Sequence, residues 1–186
     1  MSGGGACVVI PCAGEGQRLA LPYPKELLAL GPGRTLIDAA LDLVPRDRDV
    51  RVVVVVRPEK AELVRYLGRY VGDLQIAFVH QPPELSECTV AVISARPWFG
   101  DVNAVLLPDE IIQPAAEVPE PVAALLDAVA DEPFAFLAQL ESDPDRLRTE
   151  GALAVIENGD GRRRVYPCGI AQRHRNTPLS LARPMG

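Results

Sequence analysis

Apolar residues in this chain fall first into short unbroken runs. Cys7-Val8-Val9-Ile10 ends at Pro11, and Arg51-Val52-Val53-Val54-Val55-Val56-Arg57 is framed by arginines. Gln75-Ile76-Ala77-Phe78-Val79-His80, Ala104-Val105-Leu106-Leu107 and Phe134-Ala135-Phe136-Leu137 follow. A strand with one wet face alternates apolar and polar residues, whereas a strand covered on both faces is apolar throughout. The unbroken runs therefore predict doubly buried strands. Between them lie stretches of helical period. Thr35 to Val44 places Leu36, Ala39, Ala40 and Leu43 on one face, with Thr35 as N-cap and Asp38 three residues on. Pro58 to Tyr70 opens on a first-turn proline and carries Leu63, Tyr66, Leu67 and Tyr70. Ser86 to Arg96 and Pro119 to Ala130 complete the series. Strand and helix alternate from residue 7 to about residue 137, which predicts an α/β sandwich with a mostly parallel sheet.

The last part reads differently. Ala152-Leu153-Ala154-Val155-Ile156 and Arg164-Val165-Tyr166 flank Glu157-Asn158-Gly159-Asp160-Gly161. Asn-Gly between strand-like runs predicts a C-terminal β-hairpin. Residues 173–186 are polar and contain proline, which predicts a flexible tail behind a single domain at 1–172.

Composition narrows the classes. With 48% hydrophobic and 24% charged residues in 186, the chain is an ordinary globular protein. A net charge of −6, from 19 Lys+Arg against 25 Asp+Glu, argues against a nucleic-acid binder. No apolar run reaches the roughly 20 residues that span a bilayer, and Met1 to Ala6 lacks the features of a signal peptide. Cys7, Cys12, Cys88 and Cys168 show no CxxC spacing and suit a reduced, cytoplasmic protein. A homodimer or partner protein covering exposed sheet edges is the expected assembly.

Chemistry concentrates after the first strand. Pro11-Cys12-Ala13-Gly14-Glu15-Gly16-Gln17-Arg18-Leu19 leads to Pro24-Lys25-Glu26-Leu27-Leu28. A Gly-x-Gly turn lets backbone N–H groups approach an anion closely. Arg18 can fork two phosphate oxygens and Lys25 adds a mobile charge. A dinucleotide fingerprint would need a third glycine where Leu19 stands, and no Gly-Lys-Ser/Thr of a P-loop is present. A plain loop would also account for Gly14 and Gly16. The second feature is Leu106-Leu107-Pro108-Asp109-Glu110. A carboxylate at the end of a buried strand lies where open α/β sheets bind ligands and suits Mg2+ on a phosphate, although a solvated turn reads the same way. His80 and His174 have no metal-spaced partner, Trp98 is expected to pack a helix end, and Arg162-Arg163-Arg164 reads as a solvated run.

Val9 to Arg18 together with Pro24-Lys25-Glu26-Leu27-Leu28 resembles the nucleotide-binding motif of sugar-1-phosphate nucleotidyltransferases, nearest to bacterial glucose-1-phosphate uridylyltransferases. Gln81, the stretch Ala95 to Asp101, and Val105-Leu106-Leu107-Pro108-Asp109 follow in the family's order. The resemblance covers residues 7 to about 112 well and 134 to 170 loosely. It implies a three-layer, Rossmann-like, GT-A-like fold. It also implies transfer of NMP from an NTP to a sugar 1-phosphate with loss of pyrophosphate. Carried over, Ala13, Gly14 and Gly16 cradle the triphosphate and Gln81 reads the base. Arg18 stabilises the leaving pyrophosphate, and Lys25 contacts the α-phosphate region. Asp109 holds Mg2+, and Gly151 matches a sugar-site glycine.

The chain also departs from the family. Gln17 replaces the usual Thr or Ser, and Lys25 follows Arg18 by seven positions, a short spacing more like the cytidylyltransferase branch. Pro82 to Cys88 replaces a glycine-rich stretch. The later Glu-Lys-Pro motif and the second metal-binding Asp find no counterpart. Three readings stay open: a compact nucleotidyltransferase, a non-catalytic relative that binds a nucleotide, sugar phosphate or partner, and a cytidylyltransferase acting on a non-sugar phosphate.

Overall fold

The computed structural model of the chain describes residues 5–14, 16, 19, 21–70, 72–82, 84, 87–114, 116, 118–129, 137–140, 153–157, 163–167 and 180–185, the last four segments by their backbone. The chain forms two compact units, residues 1–135 and 136–186.

The first unit contains, in order, β1 (Ala6–Pro11), β2 (Ala29–Gly31), β3 (Arg34–Thr35), α1 (Leu36–Leu41), β4 (Val50–Val56), α2 (Ala61–Leu67), β5 (Gln75–His80), α3 (Cys88–Ser94), β6 (Val102–Val105) and α4 (Pro121–Ala128). Four strands form a wholly parallel sheet in the order β5-β4-β1-β6. Val8 sits opposite Val52 and Ile10 opposite Val54, while Ala6 to Val9 pair with Val102 to Val105 on the other edge.

Successive side chains of a strand point to opposite faces, and here both faces are covered. Val8, Ile10, Val52, Val54 and Val56 pack with Ile37 and Leu41 of α1, Leu63 and Leu67 of α2, and Val122 and Leu126 of α4. Cys7, Val9, Val53 and Val55 face the other way, onto Ala91 of α3 and Ala95 just beyond it. Helices on both sides of a parallel sheet give the expected three-layer α/β architecture. In β1 and β4 the unbroken apolar runs have this double burial as their cause, whereas β5 is half-buried and the edge strand β6 exposes Asn103 and Val105. β6 lies two residues earlier than its apolar run suggests, because its pairing with β1 begins at Val102; the Leu106 N–H still bonds the Val9 carbonyl at 2.9 Å.

α1 starts on a complete capping box. The Thr35 hydroxyl accepts from the Asp38 N–H at 3.4 Å and the Asp38 carboxylate accepts from the Thr35 N–H at 2.8 Å. The buried face differs from the expected one: Ile37 and Leu41 are fully buried, whereas Ala39 and Leu43 are half-buried. Asp38 is drawn inward because Tyr66 and Tyr70 both donate to it at 2.6 Å. Arg69 caps this cluster, with its guanidinium 4.9 Å from the Tyr66 ring centre and bonded to the Tyr66 hydroxyl at 2.7 Å. β2 and β3 form a two-stranded ribbon absent from the periodicity, turned by Gly33 at φ +71.

Within the second unit, β7 (Leu137–Leu140), β8 (Leu153–Glu157), β9 (Arg163–Pro167) and β10 (Ser180–Met185) make an antiparallel sheet in the order β7-β10-β8-β9. β7 begins at Leu137, where the expected fifth strand ends, and Phe134 to Phe136 lie outside the described residues. Glu157 pairs with Arg163, and the Asn158-Gly159 connection between them lies outside the described residues. β10 falls within the segment expected to be a tail. Among the described residues, no helix is long and apolar enough to cross a membrane.

A Cβ built at Gly100 lies 2.0 Å from the Gly5 carbonyl oxygen. Gly100→Ala should lower the unfolding free energy by about 3 kcal/mol in urea titrations, because backbone rather than a flexible side chain must yield. At Asp38, burial pushes the carboxyl up, but bonds from Tyr66, Tyr70 and Thr35 outweigh it and hold the pKa below its ordinary value. A depressed folded pKa means stability present above the unfolded value of about 3.9 and lost as pH falls through the folded one. The stability gap between the protein and Asp38→Asn should therefore be constant from about pH 5 to 7 and shrink below about pH 4.

Candidate functional site

From β1 the sheet grows outward to β4 and β5 on one side, then returns to β6 on the other. The order reverses beside β1, and in an open parallel sheet a crevice forms at the carboxyl ends of the strands flanking such a point. The segment after β1 and the segment after β6 both emerge there.

The Cys12 N–H bonds the Val55 carbonyl at 2.8 Å, so the chain leaves the sheet one residue after β1. Ala13 is buried among Val53, Val55, Ala91 and Ala95, so its side chain belongs to the core. Gly14 is exposed, and a Cβ there would meet nothing within 4 Å. Gly16 has φ +66, a conformation L side chains rarely adopt, and its Cβ position faces Lys25 Cβ at 3.6 Å. The second glycine of the pair therefore packs on the stem of the lysine that follows it in the motif.

Lys25 opens a single 3-10 turn, Lys25–Leu27, whose backbone bonds run from Leu27 N–H to Pro24 and from Leu28 N–H to Lys25. Two consecutive side chains of this turn go to opposite sides of β1. Lys25 Nζ meets Asp109 Oδ2 at 2.5 Å, with the side chains 23% and 46% exposed. Asp109 stands in the turn after β6, where the Glu110 N–H bonds the Leu107 carbonyl at 3.2 Å. Glu26 goes the other way. Lys60, in the turn that follows β4, donates to Glu26 Oε1 at 3.0 Å and Oε2 at 2.8 Å. The Lys60 and Glu26 side chains are 9% and 0% exposed. Removing one member of such a buried pair strands a charge and costs about 3–5 kcal/mol.

Cys12 lies beneath these charges. Burial pushes its thiol well up, Glu26 adds to the rise, and Lys60 and Lys25 oppose it. A thiol held protonated is a poor nucleophile, so the site offers Lys25, Asp109 and backbone N–H groups, and Cys12 fills space. Gln81 follows β5; its N–H bonds the Val56 carbonyl at 2.9 Å and its amide donates to the Glu87 carbonyl at 3.4 Å. Among the described residues no three His, Cys, Asp or Glu side chains cluster as a metal cage. Asp109 is instead a single half-exposed carboxylate, the donor Mg2+ uses when phosphate oxygens and water complete its shell.

The structure thus brings Gly14, Gly16, Lys25 and Asp109 to the carboxyl ends of β1 and β6. Ala13 joins them by its backbone, and Gln81 lies at the end of β5. Arg18 and Gly151 lie outside the described residues. His80 is exposed at the end of β5, and Trp98 is an exposed member of the turn after α3 rather than a packed helix end. The Glu26–Lys60 pair was not legible in the sequence. Lys60 follows Pro58-Glu59 at a helix start, a position normally in solvent, and only the fold reveals its partner.

A polyphosphate entering the site in metal-free buffer would have to compete with Asp109 for Lys25. Lys25→Met should weaken binding of inorganic tripolyphosphate at least tenfold, and Asp109→Asn should strengthen it severalfold. Isothermal calorimetry in metal-free buffer measures both.

No family profile matches the sequence. The bifunctional protein GlmU of Hyphomonas neptunium is 33% identical over 150 residues, which are 80% of this chain and 32% of that protein. The 2-C-methyl-D-erythritol 4-phosphate cytidylyltransferase of Escherichia fergusonii is 29% identical over 103 residues, 55% of this chain and 42% of the relative. The chain thus spans between about a third and two fifths of these curated relatives. In fold it resembles a UTP-bound UGPase from Acinetobacter baumannii, with TM-score 0.65 and 19% identity over 97% of this chain and 74% of that one. The parallel sheet and these relatives together support a place for the chain in the sugar-phosphate nucleotidyltransferase family.

Proposed function

We propose that the chain transfers a nucleotidyl group from an NTP to a sugar 1-phosphate or related phosphate, releasing pyrophosphate. The observation that carries this reading is the Lys25–Asp109 pair, which sets one cation and one carboxylate beside Gly14 and Gly16 at the switch point of the sheet. In this reading an oxygen of the acceptor phosphate attacks the α-phosphorus. A new P–O bond forms in line as the bond to the bridging oxygen breaks, and that oxygen leaves with the electron pair on pyrophosphate. No side-chain nucleophile is required, so rate comes from positioning and charge neutralisation.

Each residue has a part. The open face above Gly14 leaves room for phosphate oxygens against the backbone N–H groups of Ala13, Gly14 and Gly16. Lys25 leaves Asp109 for the α-phosphate region, where charge builds up during attack. Arg18 stabilises the departing pyrophosphate, Gln81 contacts the base and Gly151 the sugar. Asp109, freed of Lys25, would hold Mg2+, which supplies charge neutralisation on the phosphates. The free, buried Cys7 and Cys12 fit a reducing, cytoplasmic setting. The likeness to a methylerythritol phosphate cytidylyltransferase over 103 residues, with the short Arg18-to-Lys25 spacing, favours CTP and a polyol phosphate as the second substrate pair.

Incubation with each NTP, Mg2+ and a panel of sugar 1-phosphates and polyol phosphates, with pyrophosphate as readout, tests the proposal. Turnover with at least one pair is expected, and Lys25→Met and Asp109→Asn should each lower kcat/KM by about 10²–10³-fold. No turnover, together with no nucleotide binding in calorimetry, would overturn it in favour of a non-catalytic relative.

A further inference from the structure

The two side-chain pairs of the Lys25–Leu27 turn differ in kind, and that difference suggests a division of labour. The Lys25–Asp109 pair is partly exposed and lies where a ligand would have to open it. The Glu26–Lys60 pair is sealed: the carboxylate is 0% exposed, and one ammonium reaches both of its oxygens at 3.0 and 2.8 Å. An apolar pair of similar volume would hold the turn down equally well without the desolvation cost. What the ion pair adds is direction. Two N–H···O bonds to one carboxylate set the orientation of Glu26, and Lys25 is the adjoining residue of the same single turn. Lys60 is itself anchored, its N–H bonding the Arg57 carbonyl at 2.9 Å directly after β4. β4 and β6 flank β1, so the turn is strung over the end of β1 between a fixed anchor on one side and an openable contact on the other.

We propose that Glu26 and Lys60 are positioning residues of the site, a buried tie that keeps the Lys25 turn in place when Lys25 exchanges Asp109 for phosphate. This rests on the nucleotidyl-transfer reading for its catalytic consequence, but its effect on anion binding does not depend on turnover. Neither residue touches the reacting atoms. Losing the tie lets Lys25 stay near the phosphates but not on them, a loss felt most in the transition state.

Lys60→Met alone strands the Glu26 charge and risks unfolding, so the deciding variant is Glu26→Leu with Lys60→Met, which replaces the pair by apolar groups. That double variant should melt within a few degrees of the parent. It should nevertheless lose at least tenfold in kcat with KM for the NTP changed less than threefold. Amide exchange at Leu27 and Leu28 should be at least tenfold faster, and inorganic tripolyphosphate should bind at least threefold more weakly. A folded double variant with parental exchange, parental tripolyphosphate affinity and, where turnover exists, parental kcat overturns the proposal. If the parent turns over no NTP, the nucleotidyl-transfer reading fails, while the exchange and tripolyphosphate measurements still decide whether the pair positions Lys25.

Discussion

β1 is hydrogen-bonded on both edges, by β4 and β6, and covered on both faces by helices. Val8, Val9 and Ile10 are therefore wholly enclosed, and none of the side chains there can meet a ligand. A strand so placed must be apolar, and any chemistry must collect where it stops. The Cys12 N–H still follows the sheet; by Gly14 the chain is in the open. β6 is an edge strand with Asn103 and Val105 exposed, and Asp109 follows it in the next turn. Polar groups gather beyond the ends of β1 because the sheet interior has no room for them, the place where open parallel sheets form a crevice.

Charges around that crevice alternate in sign: Lys60, Glu26, Lys25, Asp109. The outer pair is of the class whose net contribution is about 0–1 kcal/mol, because solvent reaches it and screens it. It can separate at little cost when a phosphate or a metal ion offers each partner a better contact. The inner pair cannot separate without leaving a buried charge. One turn of three residues thus has a fixed side and a movable side, set by burial alone. The protein carries a net charge of −6, yet Lys60 offsets the carboxylate of Glu26, so that the charge Lys25 answers is Asp109 alone.

Much of the fold was legible along the chain. The valine run at 52–56 can be apolar at every position only if both faces are covered, and it lies at the centre of a parallel sheet. Thr35 and Asp38 announced a capping box that the structure contains. Less legible was the inward use of Asp38. A carboxylate in a first turn reads as solvated, and its hydroxyl partners, Tyr66 and Tyr70, stand about thirty positions away in α2 and the turn beyond it. The β2–β3 ribbon was missed because strands of three and two residues have no period to detect.

The candidate site divides in the same way. Gly14, Gly16, Lys25 and Asp109 could be named from the order of residue types, since phosphate chemistry needs close backbone approach, a cation and a hard carboxylate, each with a local signature. What order along the chain determined was which groups are available and that they follow buried strands. Only the tertiary structure decided that Lys25 pairs with Asp109, 84 positions on, and that Glu26 turns inward to Lys60. Pairing of charges depends on which strand ends become neighbours and which water is excluded between them. Neither exists until the sheet has formed.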